Sequence, residues 1–140
     1  MVNHCALDYC CPAARNFVLG RFEAPLPTSP ACNAKCLCCI SAHPEGIFPV
    51  TPPPLTFVPS VEEIVDVGLT HLENVPERAV LSFGQGCEGE PLMQADLITE
   101  AIRRIRQRTD RGTINVNTNA SKPDSGRRLV DPGLDSIRIA

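Results

Sequence analysis

Apolar and polar positions alternate along the chain with two different periods, and the periods divide it into strands and helices. Val61, Ile64, Val65, Leu69 and Leu72 recur at helical spacing, forming one apolar stripe. Ser60 and Glu63 precede that stripe as a capping box, in which hydroxyl and carboxylate satisfy free amides at a helix start. A second helix is predicted over 95–109, with Ile98, Ala101, Ile102 and Ile105 inward and Gly112 placed to close its C-terminal end. Strands are predicted at Phe17–Ala24, weakened by Gly20, at the short apolar run Ala79–Phe83, and at the alternating run Thr113–Thr118. A fourth begins at Ser136 and runs to Ala140 as an apparent core strand.

Strands separated by helices imply parallel pairing and an α/β class. Residues 1–16 show little periodicity. Pro25, Pro27 and Pro30 end the first strand, and the prolines of 44–59 forbid a helix there, so that stretch reads as an extended, polyproline-like excursion. A βα barrel takes about 200 residues or more, so a chain of 140 residues is expected to be the first portion of a larger sheet, a fragment or truncated product.

A formal net charge of −3 and the absence of Trp argue against a nucleic-acid partner. Five arginines between Arg103 and Arg111 form a basic run, read as the solvated face of the second helix, suited to its C-terminal dipole. The N-terminus lacks a basic region followed by an apolar run, and no window approaches a membrane span. A cytoplasmic setting follows, and there eight cysteines favour metal or redox use over a disulfide scaffold.

Three of the eight stand in Cys32-Asn33-Ala34-Lys35-Cys36-Leu37-Cys38-Cys39. Three thiolates on one short loop can hold three irons of a cubane cluster and leave the fourth open to a ligand. Zinc is the alternative, with Cys36 and Cys39 as a knuckle-like pair and Cys32 or His43 completing a tetrahedral set. In a parallel sheet, function gathers at the C-terminal ends of strands. The cysteine loop follows the first strand. Gly84-Gln85-Gly86-Cys87-Glu88-Gly89-Glu90-Pro91-Leu92 follows the second, and Asn117-Thr118-Asn119-Ala120-Ser121 the third, so three loops should converge on one rim.

These residues resemble the radical S-adenosylmethionine (SAM) enzymes over about residues 17–140. The family's Cys-x3-Cys-x2-Cys motif is matched by Cys32, Cys36 and Cys39, its Gly-Gly-Glu-Pro motif in part by Gly89-Glu90-Pro91, and its Thr-Asn-Gly-like turn by Thr118-Asn119-Ala120. The resemblance implies a partial (βα) barrel of about four strands, and a [4Fe–4S] cluster on Cys32, Cys36 and Cys39. It also implies SAM held near Gly89, Glu90, Pro91 and Asn119, with reductive cleavage to a 5′-deoxyadenosyl radical. Glu90 and the backbone near Gly89 would meet the methionine amino group. An electron donor such as a flavodoxin or ferredoxin is implied as partner; the substrate is not. The chain departs from the family at Cys38, where an aromatic is usual, and at Glu88 and Ala120, where glycines are usual. Residues 17–140 form the core on this view, with 1–16 a separate segment whose Cys5, Cys10 and Cys11 are either free thiols or, with Cys87, ligands of an auxiliary cluster. Taken alone, Cys87 reads as a small buried apolar residue.

Overall fold

A computed structural model describes residues 2–37, 39, 41, 53–75, 77–85 and 87–139. The helices are α1 (Val2–Leu7), α2 (Pro12–Val18), α3 (Val61–Asn74), α4 (Ala95–Arg106) and α5 (Pro123–Arg128). The strands are β1 (Glu23–Pro25), β2 (Val80–Phe83), β3 (Thr113–Thr118) and β4 (Ser136–Ile139). The four strands form one sheet in the order β1-β2-β3-β4, every pair parallel. The α/β class and the parallel pairing read from the periodicity are therefore present.

Helix α3 begins as its sequence requires. Ser60 Oγ accepts the Glu63 N–H, and Glu63 accepts from the Ser60 N–H, completing the capping box. Ile64, Val65, Leu69 and Leu72 of α3 and Ile98, Ala101, Ile102 and Ile105 of α4 join one core with Ala24, Leu81, Phe83, Ile114 and Val116 of the strands. All five strand residues lie on one face of the sheet. The other face carries Glu23, Ser82, Asn115, Asn117 and Ser136. There Ser136 Oγ donates to Asn115 Oδ1, Asn115 Nδ2 to Ser82 Oγ, and Ser82 Oγ to Glu23 Oε1. Parallel strands are ordinarily apolar on both faces; here a hydrogen-bonded polar row occupies one.

Several expectations need correction. Residues 1–16, though they show little periodicity, hold α1 and most of α2. The predicted strand over 17–24 shrinks to Glu23–Pro25, because Phe17 and Val18 finish α2. Gly20 marks the change: it takes a left-handed φ of 59°, its N–H donates to Phe17 O at 3.1 Å, and the Arg21 N–H reaches Asn16 O at 2.8 Å. That pair of bonds is a Schellman closure, a helix-end signal rather than a weak point in a strand. Pro25 sits within β1 and not after it, tolerated because β1 is an edge strand.

Helix α4 closes at Gln107, preceded by a 3₁₀ turn over Pro91–Gln94, so Gly112 (φ 72°) serves the turn into β3 instead of the helix end. The fourth strand is the outermost of the order and is exposed throughout among the described residues, with Ile139 70% exposed. A short helix that the pattern does not mark, α5, separates it from β3, started by Pro123 at its first turn.

The basic run divides. Arg103 pairs with Glu100, and Arg104 with Glu100 and Glu62, on the exposed side of α4 as expected. Arg106 turns inward instead. It donates to the carbonyls of Arg111, Gly112 and Gly133 and pairs with Asp135, with only 14% of its side chain exposed. Of the Pro-rich excursion, 53–59 is non-helical as expected, while 44–52 lies outside the described residues. Among the described residues no helix is long and apolar enough to cross a membrane.

Candidate functional site

Three segments leave the C-terminal ends of the first three strands and bind one another. Beyond β1 the chain runs through Leu26–Ala31 into the cysteine loop; beyond β2 it runs through 84–90. The β1–β2 ladder extends to the bond from Leu26 N–H to Ser82 O at 2.8 Å, then opens. It resumes with Gly89 N–H on Ser29 O at 2.6 Å and Glu90 N–H on Ala31 O at 2.9 Å. The third loop joins through side chains: Asn119 Nδ2 donates to Asn33 Oδ1 at 2.9 Å, and Asn33 Nδ2 to Ser121 Oγ at 2.8 Å. Convergence of the three loops, expected from strand order alone, is thus a matter of named contacts.

Close approach explains Gly89. A Cβ there would lie 2.1 Å from Ala31 O and 2.9 Å from Cys32 N. The glycine lets two backbones meet next to the first loop cysteine, whereas the sequence suggested approach to a ligand.

Glu88 and Glu90 flank it and, being two apart on an extended segment, turn to opposite sides. Glu88 turns toward β1. Its Oε2 accepts Thr28 N–H at 2.7 Å, Thr28 Oγ1 at 3.1 Å and Ser29 N–H at 3.0 Å; its Oε1 accepts Gly84 N–H at 2.6 Å and Gln85 N–H at 3.2 Å. Burial pushes its carboxyl above the ordinary range, and these hydrogen bonds pull back. Glu90 turns toward β3. It is 3% exposed; Oε1 takes Leu92 N–H and the Thr118 hydroxyl, and Oε2 takes Asn119 N–H at 2.8 Å. The resemblance set Glu90 against the methionine amino group of SAM; here it is buried at the joint between the second and third loops. Pro91, also buried, starts the 3₁₀ turn that Glu90 caps.

The cysteine loop itself is open. Cys32 and Cys36 are exposed and Cys39 half-buried, with Cys39 N–H on Cys36 O at 3.2 Å closing a turn between the last two. None of the three forms a disulfide among the described residues. Cys38, His43 and Gly86 lie outside the described residues. Among the described residues no three His, Cys, Asp or Glu side chains are gathered as metal ligands. The donor set, three soft thiols within one loop of eight residues, still has the chemistry that iron–sulfur clusters and zinc require.

Of the other cysteines, Cys5 and Cys11 are half-buried and Cys10 exposed on the α1–α2 hairpin, where Arg15 Nη2 donates to Cys10 Sγ at 3.0 Å. Cys87 is half-buried, its thiol pushed up by burial first and by Glu88, Cys5 and Cys11 after it. His71 is buried against Phe17 with Nε2 3.2 Å from Phe22 O, a packing role.

The sequence marked Glu88 only as a departure from the family's glycine and gave Asn33 no role. The spacing Glu-Gly-Glu just past a strand was the available signal for Glu88: two acids on alternate sides where a ladder splays. Asn33 had none, because its partners lie 86 and 88 positions away. No family model, curated protein or solved structure matches the chain.

Proposed function

We propose that the chain carries the cluster and SAM side of a radical SAM enzyme, on a sheet of the partial-barrel type. The observation that supports this reading best is the union of three loops at one sheet edge. The loop with Cys-x3-Cys-x2-Cys, the loop with Gly89-Glu90-Pro91 and the loop with Thr118-Asn119-Ala120 are hydrogen-bonded to one another in that order. The polar row on the sheet face away from the helices supports it further, since a substrate lodged against that face would meet hydrogen-bonding groups.

In this reading Cys32, Cys36 and Cys39 hold a [4Fe–4S] cluster. Bound there, a reduced cluster supplies the single electron for reductive cleavage of SAM. Gly89 keeps the SAM-binding segment against the stem of the cysteine loop. Glu90 and Asn119 hold the second and third loops together through the Asn119 N–H on Glu90 Oε2, so the loop that would meet the methionine end of SAM is fixed by a buried carboxylate. Electrons would come from a flavodoxin- or ferredoxin-like donor in the cytoplasm.

A second reading, a non-catalytic module holding zinc or a closed cluster, draws on the turn between Cys36 and Cys39, which suits a zinc knuckle. Electron paramagnetic resonance of the anaerobically reconstituted, dithionite-reduced protein, with and without SAM, separates the two. A [4Fe–4S]⁺ signal that changes with SAM is expected. Stoichiometric zinc without iron, or a cluster signal indifferent to SAM, would overturn the first reading. Glu90→Ala should weaken the SAM response while leaving metal content in place.

A further inference from the structure

We propose that Glu88 is a positioning residue that sets the cysteine loop against the SAM-binding loop, a role that rests on the reading of this rim as a cluster and SAM site. The argument begins with the gap in the ladder. Between the bond at Leu26 and the bond at Gly89, the amides of Thr28, Ser29, Gly84 and Gln85 point at one carboxylate, not at a carbonyl. Each Glu88 oxygen serves one strand's exit: Oε2 the stem of the cysteine loop, Oε1 the start of the SAM-side loop.

No other side chain does this at the same place. Gln offers one acceptor oxygen and turns an NH₂ toward amide donors; Asp is a methylene short of bridging both stems. From Ser29 the path to the cluster ligands is short. Ser29 Oγ donates to Ala31 O at 2.9 Å, Ala31 O receives the Glu90 N–H, and Cys32 comes next. On the return side, Ser41 Oγ donates to Glu88 O at 3.1 Å, so the segment leaving the cysteine loop is tied to the same residue. Glu88 therefore touches both ends of the loop that carries the three thiols, without being near enough in sequence to belong to it.

The test uses Glu88→Gln in two arms. The first needs no cluster: amide hydrogen exchange of the metal-free protein. Thr28, Ser29, Gly84 and Gln85 should exchange about tenfold faster or more in the variant, the effect of orphaned buried amides. Leu92 and Asn119, which belong to Glu90, should hold their native rates. Unchanged rates at the four amides would overturn the clamp.

The second arm is anaerobic reconstitution. At matched cluster content the variant should need about tenfold more SAM to change the resonance signal, a separation of binding from assembly that general destabilisation would not produce. Freed amides with a native SAM response would overturn the positioning role. A native chain that takes up no SAM-responsive cluster would sink the site reading, and with it this role, while the exchange arm still judged the clamp by itself. Should Glu88→Gln not fold, Glu88→Asp, which keeps the charge but is a methylene short of bridging both stems, should speed exchange at one pair of amides at least, Thr28 and Ser29 or Gly84 and Gln85; native rates at all four would overturn the clamp.

Discussion

Replacing Gly89 by Ala puts the reading of the rim under the most direct strain. The added Cβ would stand 2.1 Å from Ala31 O and 2.4 Å from Ala31 C, both backbone atoms that no rotamer change can move aside. Relief requires the two segments to part by roughly 1 Å, which carries the 2.6 Å bond from Gly89 to Ser29 and the 2.9 Å bond from Glu90 to Ala31 past useful length. Each amide orphaned in this half-buried setting costs about 1–3 kcal/mol. Loss of glycine's freedom in the unfolded chain offsets about 0.5–1 kcal/mol. The net expectation is a loss of about 2–4 kcal/mol, read as a lowered urea midpoint at unchanged slope in circular dichroism, or roughly 10 °C in Tm. Because Cys32 N lies 2.9 Å from the same Cβ, iron retention after reconstitution should fall as well. A loss below about 0.5 kcal/mol, the range of an ordinary surface substitution, would show that the two segments are not packed as described.

Four further outcomes are expected. Gly126→Ala, in the middle of α5 with its nearest neighbour 3.8 Å from the new Cβ, should stabilise by up to about 1 kcal/mol in the same urea assay. Arg106→Met keeps the stem but removes the bonds to three carbonyls and to Asp135; a loss of about 2–3 kcal/mol by calorimetry is expected, and a neutral result would deny that β4 is held by this residue. Ser60→Ala should cost about 1 kcal/mol through its cap. Glu88 makes stability depend on pH. With its folded pKa raised by burial, the native state binds that proton more tightly than the unfolded chain. Its contribution is therefore full below the ordinary carboxylate range and declines as pH rises through the raised value, and Glu88→Gln should flatten that decline in a pH series of urea melts.

Much of the fold was legible because its signals are local. The capping box at Ser60, the stripes of α3 and α4 and the alternation of β3 each depend on neighbours within a few positions, and β3 spans Thr113–Thr118 as its alternation requires. Parallel pairing followed from the alternation of strands with helices. The convergence of the three loops was legible for the same reason, since strand ends fix where the loops start.

Other features turned on contacts between distant residues. Whether Phe17–Gly20 continues a strand or ends a helix was decided by a pair of backbone bonds at Gly20 and by packing of Phe17 on His71. Sequence alone marked Ile137 and Ile139 as apolar strand positions; their place at the sheet edge came from the order of the strands. Arg106 and the other arginines have the same side chain, and the return of Gly133 and Asp135 against α4, beside the nearby carbonyls of Arg111 and Gly112, set it apart. The same holds for the two acids of the rim. Glu88 and Glu90 were visible as charges beside a glycine, but a carboxylate becomes a structural acceptor when the amides of other segments are brought to it and water is excluded. Thr28 lies 60 positions from Glu88, and Thr118 lies 28 from Glu90. Sequence determined which groups could donate and accept; tertiary structure decided which of them met, because hydrogen-bond energy is collected only where folding removes water from both partners.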